Sequence, residues 1–171
     1  EGVLFLLTAD SLAGVLPTIR SRCVSFAIAP VSPADCARYC TAHGVDKKTA
    51  ALYSELFDGH IGTVLTAARD KARTEQVDKA MELARAAQAG DSYTAAVLLA
   101  PYEKDKAGAA ALLRDLRAVA AAGLQGSPHA PVQGQQAQRT LRLAEAAIQR
   151  LGAQVNPKIV LTVFAARLAH A

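Results

Sequence analysis

The spacing of hydrophobic residues along the chain changes near residue 30. Before that point, apolar residues form a continuous run at 3–7 and a second run at 24–28 that is interrupted by Ser25, and such runs are typical of strands covered on both faces. Beyond it, apolar residues recur three and four positions apart, which is the spacing of one face of an α-helix. The pattern therefore predicts a mainly α fold in which two strands precede a series of helices.

Three short helices are predicted between residues 30 and 73. Ser32 at the N-cap, Pro33 at the first helical position and Asp35 two residues later open the first helix. Gly44 is a natural residue to follow its last turn. Asp46 caps the second helix, and the third begins near residue 60 with apolar residues at helical spacing.

A second group of helices is predicted from residue 74 to residue 171. Its strongest apolar stripe is formed by Ala109, Leu112, Leu113, Leu116, Val119 and Ala120. Pro101 should break or kink the helix before this stripe, and Asn156 followed by Pro157 opens the last helix. Residues 125–134 contain turn formers and no period, which predicts a mobile loop. The chain is thus divided into segments 1–29, 30–73 and 74–171.

The composition favours closely packed helices. Of the 171 residues, 51% are hydrophobic, Trp is absent and alanine is abundant, and alanine is the best helix former. The net charge of +4 is mild; it permits contact with nucleic acid without arguing for it. No run approaches the ~20 apolar residues that cross a membrane, and no secretory pattern opens the sequence, so we expect no membrane partner.

Three cysteines, an odd number, suggest reduced thiols and a cytoplasmic protein. Cys36, Cys40 and His43 are spaced so that one helix face could present all three. A zinc site usually needs a fourth ligand and two paired spacings, neither of which the sequence offers. We therefore expect no metal site, and interpret the cysteines as small buried hydrophobic residues.

Residues 69–73 carry charges of alternating sign. Such a segment usually faces water, and we interpret it as a polar join between segments 30–73 and 74–171. Contact with DNA through Arg69, Lys71 or Arg73 is the alternative interpretation.

Two arginines, Arg20 and Arg22, lie between the two predicted strands. Most short arginine pairs simply face water. A pair in a short link between buried segments could instead bind an anion, because the planar guanidinium can donate two parallel hydrogen bonds to phosphate oxygens.

The surroundings of this pair favour the second interpretation. Thr8 follows the first apolar run, and Ser21-Arg22-Cys23 precedes the second. This arrangement resembles the end of the AAA+ nucleotide-binding domain in bacterial DNA polymerase III clamp-loader subunits. The resemblance implies that Thr8 occupies the sensor 1 position and that Arg22 is an arginine finger, which points into the ATP site of a neighbouring subunit.

Segment 30–73 is similar to the lid domain of the same family, with one departure. In the subunits that hydrolyse ATP, the helix after a Gly-x-x-Gly turn begins with a sensor 2 arginine. Here the turn Gly59-His60-Ile61-Gly62 is followed by Thr63, which is neutral and short. The absence of a charge-assisted phosphate contact makes the chain most similar to the delta prime branch, whose members typically do not hydrolyse ATP themselves.

Segment 74–171 is similar to the helical collar through which the subunits of this family form a ring. The resemblance implies that the chain binds the gamma/tau and delta subunits, and contacts the sliding clamp and primed DNA through the complex. It implies no cofactor held by the chain, with ATP and Mg²⁺ bound by the neighbouring subunit. The chain would then be non-catalytic by itself, although part of a DNA-directed DNA polymerase holoenzyme.

Two further expectations concern the limits of this resemblance. Strands covered on both faces need neighbours on both edges, so we expect a larger α/β domain to precede the sequence. Two alternatives to the delta prime branch stay open, namely an ATP-hydrolysing gamma/tau subunit and an unrelated helical interaction module.

Overall fold

A computed structural model of the chain describes residues 2–9, 11–29 and 31–169. These residues form nine α-helices and no strand, which confirms a mainly α fold. The helices are α1 (Pro17–Arg20), α2 (Pro33–Ala42), α3 (Lys47–Leu56), α4 (Ile61–Arg69), α5 (Lys71–Ala89), α6 (Ser92–Leu99), α7 (Lys106–Leu124), α8 (Gly134–Gly152) and α9 (Pro157–Ala169). Single 3₁₀ turns lie at Leu12–Gly14 and Ala100–Tyr102. Within the described ranges, no helix combines the length and apolarity needed to span a bilayer.

The two predicted strands are not formed in this structure. The apolar side chains at 3–7 and 24–28 are exposed, with Leu6 at 88% and Ile28 at 95%. A strand needs a neighbour to pair its backbone groups, and a continuous apolar run also needs cover on both faces. The described part of the chain provides neither, so it contains no remnant of a sheet.

Helices α2, α3 and α4 form a three-helix unit that matches the prediction from the capping residues. Ser32 Oγ accepts the Asp35 N–H (3.1 Å), which is an N-cap bond, and donates to Asp35 Oδ2 (2.8 Å). Asp46 Oδ2 accepts the N–H groups of Lys48 and Thr49 at the start of α3. Apolar side chains from all three helices fill the core of the unit, namely Cys36, Cys40, Ala50, Tyr53, Leu56, Val64 and Ala67.

Helices α5 to α9 form a five-helix bundle. α7 and α8 pack against each other, α5 lies against α7, and α6 lies against α9. The predicted stripe of α7 is buried along its whole length, and its alanines allow neighbouring helices to approach closely. Pro101 lies in the 3₁₀ turn that follows α6, so the predicted break is confirmed.

Residues 125–133 form the predicted loop between α7 and α8, but this loop is packed against the bundle. Ala130 and Val132 are buried. The side-chain amide of Gln133 donates to the carbonyls of Ser127 (2.9 Å) and Ala130 (3.1 Å). The expectation of a mobile loop is corrected accordingly, because these apolar residues reach the core and the Ala130 N–H donates to the Ser127 carbonyl (3.3 Å).

Candidate functional site

Arg22 lies directly after the single turn of α1. Pro17 occupies the first turn of this helix, where its fixed φ favours helix initiation. The Arg22 N–H donates to the Ile19 carbonyl (3.0 Å), and Ser21 Oγ donates to the Thr18 carbonyl (3.2 Å). These bonds fix the backbone at Ser21 and Arg22 although the surrounding segment is exposed.

The Arg22 side chain is exposed and forms no ion pair within the described residues. Beside it, Arg20 and Ser21 line a shallow concavity together with Leu12, Pro17 and Ser25. Cys23 is exposed and carries a free thiol, so the interpretation of the cysteines as buried residues is wrong for Cys23. The segment can therefore present a guanidinium group to an anion that another molecule brings.

Thr8 and Arg22 lie on either side of the first 3₁₀ turn and α1, and Thr63 lies in α4. Thr8 is exposed, and no hydrogen bond of the described residues joins it to Arg22. Thr63 lies at a crevice between α3, α4 and α7, where it shares the lining with Glu55 and Arg117. Sequence reasoning did not predict this crevice, because Arg117 belongs to a helix distant in sequence.

The Gly59–Gly62 turn has a structural role. Gly59 has a φ of +74°, and a Cβ there would lie 1.7 Å from the Val31 carbonyl oxygen. Only glycine fits both the left-handed backbone and this close approach. The turn therefore holds the chain just after residue 30 against the three-helix unit.

The cysteine and histidine spacing does not form a site. Cys36 and Cys40 are fully buried, as interpreted from the sequence, and burial together with the neighbouring Cys36 raises the pKa of the Cys40 thiol to about 11. His43 is exposed, stacks on Tyr39 at 4.0 Å and bonds through Nδ1 to the Tyr39 carbonyl. In the described ranges, no three metal-ligating side chains come together.

Arg73 is part of a junction between the three-helix unit and the bundle. Its guanidinium makes a two-pronged ion pair with Asp115 of α7 and lies 5.7 Å from the Phe57 ring centre. Gln76 Nε2 also donates to Asp115 (2.8 Å). The alternative of DNA contact is thereby corrected for Arg73, because its side chain is occupied within the fold.

The polar join at residues 69–73 is more specific than the sequence indicated. Asp70 caps α5 by accepting the Ala72 N–H (2.9 Å). Arg69 Nη2 donates to the His43 carbonyl (2.7 Å) beyond the end of α2. The signal that could have revealed the junction is Asp115, a carboxylate inside the strongest apolar stripe, since a charge there needs a buried partner.

An apolar groove lies between α6 and α9 of the five-helix bundle. It has a volume of about 360 Å³ and is lined largely by apolar side chains, namely Tyr93, Ala96, Leu99, Ala100, Leu161, Ala165 and Ala166, with Ser92, Glu103 and Thr162. Tyr93 and Ile159 are exposed on these helices at 79% and 59%. Sequence reasoning predicted the helices but not this groove between them.

The described residues thus offer an exposed arginine after α1, an ion-paired junction and an open apolar groove. No family model matches the chain, and no curated protein or solved structure is significantly similar to it.

Proposed function

We propose that this chain belongs to a bacterial DNA polymerase III clamp-loader subunit of the delta prime type. The observation that carries the proposal is Arg22: it lies in the motif Ser21-Arg22-Cys23, its backbone is fixed by α1, and its guanidinium is exposed and free of ion pairs among the described residues. This combination suits a side chain that acts on a phosphate held by another subunit.

In this proposal Arg22 acts by electrostatic stabilisation. As a phosphoryl group is transferred, charge spreads over its equatorial oxygens. A guanidinium that reaches these oxygens with two parallel N–H donors stabilises that charge. Arginine fingers contribute about 10³–10⁵ in rate where they have been measured. ATP and Mg²⁺ are held by the neighbouring subunit, and this chain holds neither.

The residue at position 63 supports the delta prime branch over the gamma/tau branch. Thr63 is exposed at the start of α4, where the hydrolysing subunits carry the sensor 2 arginine. A threonine hydroxyl offers no positive charge to a nucleotide phosphate. In this proposal the chain does not itself hydrolyse ATP.

The groove between α6 and α9 is the proposed contact with the neighbouring collar domains. α6 contains no charged residue, and the charged residues of α9 are Lys158 and Arg167. Helices with so little polar surface are usually buried, and exposed apolar patches mark protein interaction sites. A second subunit seated here would cover Tyr93 and the alanines of the groove.

Assembly with the other loader subunits tests this proposal. Ala96→Arg places a long cation in the groove. We expect the fraction of this variant that co-elutes with the gamma/tau and delta subunits on a sizing column to be at least tenfold smaller than for wild type. Ala89→Arg, at the exposed end of α5, adds the same charge elsewhere and should leave assembly unchanged.

The wild-type protein decides the broader question. If the full-length protein that carries this chain fails to join the loader subunits under conditions where they join each other, the proposal is wrong. The chain would then be an unrelated helical interaction module.

A further inference from the structure

The crevice between α3, α4 and α7 lies where the three-helix unit meets the five-helix bundle. Small-molecule sites occur preferentially at such boundaries between structural units. The crevice has a volume of about 260 Å³, which is below the range of about 300–1,000 Å³ typical of pockets for drug-sized ligands. A ligand that fits it is therefore a small molecule, of the size of one amino acid, rather than a nucleotide or a peptide segment.

Part of the crevice lining is apolar. Leu56 and Phe57 at the end of α3 are buried, and both line the crevice. On the opposite wall, Ala118, Ala121 and Ala122 of α7 are spaced three and four positions apart, so they share one face of that helix. This lining favours a ligand with an aliphatic part.

Charged side chains of opposite sign line the same crevice. Glu55 and Asp58 come from α3 and the turn that follows it, and Arg117 comes from α7. Among the described residues, none of the three takes part in an ion pair, so no nitrogen of Arg117 lies within 4.0 Å of either carboxylate. The carboxylates and the guanidinium are therefore both available to a ligand.

The carboxylate of Glu55 is held in place by the loop between α7 and α8. Ser127 Oγ donates to Glu55 Oε2 and accepts the His129 N–H (3.3 Å), so the serine hydroxyl is fixed from both sides. Ser127 is buried and Glu55 is half-buried. A partly desolvated charge attracts its partner more strongly than an exposed one, and a side chain that is already ordered loses less entropy on binding. Glu55 is thus arranged to bind a cationic group.

We propose that this crevice binds a free α-amino acid with an aliphatic side chain. The ammonium group of the ligand lies at Glu55 and Asp58, and its carboxylate accepts two parallel N–H donors from Arg117. Its side chain contacts Phe57 and the alanines of α7. A simple cation would be repelled by Arg117 and a simple anion by the two carboxylates, whereas a zwitterion pairs with both. This inference does not depend on the proposed loader function, since it rests on the crevice alone.

Saturation-transfer NMR with L-leucine tests the proposal on the full-length protein that carries this chain. Transfer from the protein to the leucine methyl groups, followed as leucine is titrated, gives a Kd that we expect at about 1 mM or below. Two analogues each keep one charged group: leucinamide retains the ammonium group, and 4-methylpentanoate retains the carboxylate. Each should bind at least tenfold more weakly than leucine, because it leaves a charge of the crevice without its partner.

Variants of the two charged walls locate the ligand. Arg117→Gln and Glu55→Gln should each raise the Kd for leucine at least tenfold, and Glu55→Gln keeps an acceptor for Ser127. Arg114→Gln is the matched control, because Arg114 is exposed on α7 one turn before Arg117 and lies outside the crevice lining; it should change the Kd less than twofold. The proposal is overturned if wild-type protein gives no transfer to leucine at about 10 mM, if either analogue binds as tightly as leucine, or if Arg117→Gln and Arg114→Gln have the same Kd.

Discussion

Replacing Asp115 by alanine is expected to lower the free energy of unfolding by about 2–3 kcal/mol. The change leaves the guanidinium of Arg73 without its carboxylate and removes the acceptor for Gln76. Removing one partner of a fully buried pair costs about 3–5 kcal/mol. The Arg73 side chain is 24% exposed, so water compensates part of the loss. The hydrogen bond to Asp115 also raises the pKa of Arg73, because the carboxylate stabilises the charged guanidinium.

Urea unfolding followed by circular dichroism measures this effect. Asp78→Ala, which removes an exposed carboxylate of α5, is the control and should change stability by less than about 0.5 kcal/mol. Arg73→Met combined with Asp115→Leu should recover most of the loss, because an apolar pair of similar volume replaces a buried ion pair at little cost. An Asp115→Ala protein as stable as wild type would show that the junction does not hold the two helical units together.

Replacing Gly123 by alanine is expected to destabilise the bundle by about 3 kcal/mol. A Cβ at this position would lie 1.9 Å from the Val132 carbonyl oxygen, which is a backbone atom of the packed loop. The loop cannot move away without exposing Val132 and breaking the bonds made by Gln133. Either α7 or the loop must therefore shift.

Gly152→Ala is the matched control for this prediction. Gly152 is the last residue of α8, and a Cβ there meets no atom within 4 Å. Its replacement should stabilise the protein slightly, since alanine loses less conformational freedom on folding. Thermal unfolding should show a decrease in Tm of about 6–12 °C for Gly123→Ala and no decrease for Gly152→Ala. Equal Tm values for the two variants would contradict the close approach at Gly123.

Local sequence signals predicted the helices well. Ser32 and Asp46 begin α2 and α3 as expected, and Pro101 follows the end of α6. These signals succeed because capping and helix breaking involve residues within one or two turns. The two apolar runs before residue 30 failed as predictors of strands in this structure, because strand formation depends on partners that the run itself cannot specify.

The candidate site could be predicted only in part. The sequence predicted Arg20 and Arg22 in a short link between two strands, whereas the structure places them at the single helical turn α1, with no strand among the described residues. The pairing of Arg73 with Asp115 joins residues 42 positions apart, and the crevice at Thr63 includes Arg117 from another helix. Such contacts follow from tertiary packing, which no local pattern encodes.

The role of Arg22 is tested by the ATPase activity of a reconstituted clamp loader, stimulated by the sliding clamp and primed DNA. The loader contains the full-length protein that carries this chain, either as wild type, Arg22→Ala, Arg22→Lys or Arg20→Ala. We predict at least a tenfold lower turnover for Arg22→Ala in a complex that still assembles, and a partial loss for Arg22→Lys, which keeps the charge but not the two-pronged donor. Arg20→Ala should change turnover less than twofold. Unchanged turnover for Arg22→Ala in an intact complex would contradict an arginine finger and leave the chain a scaffold.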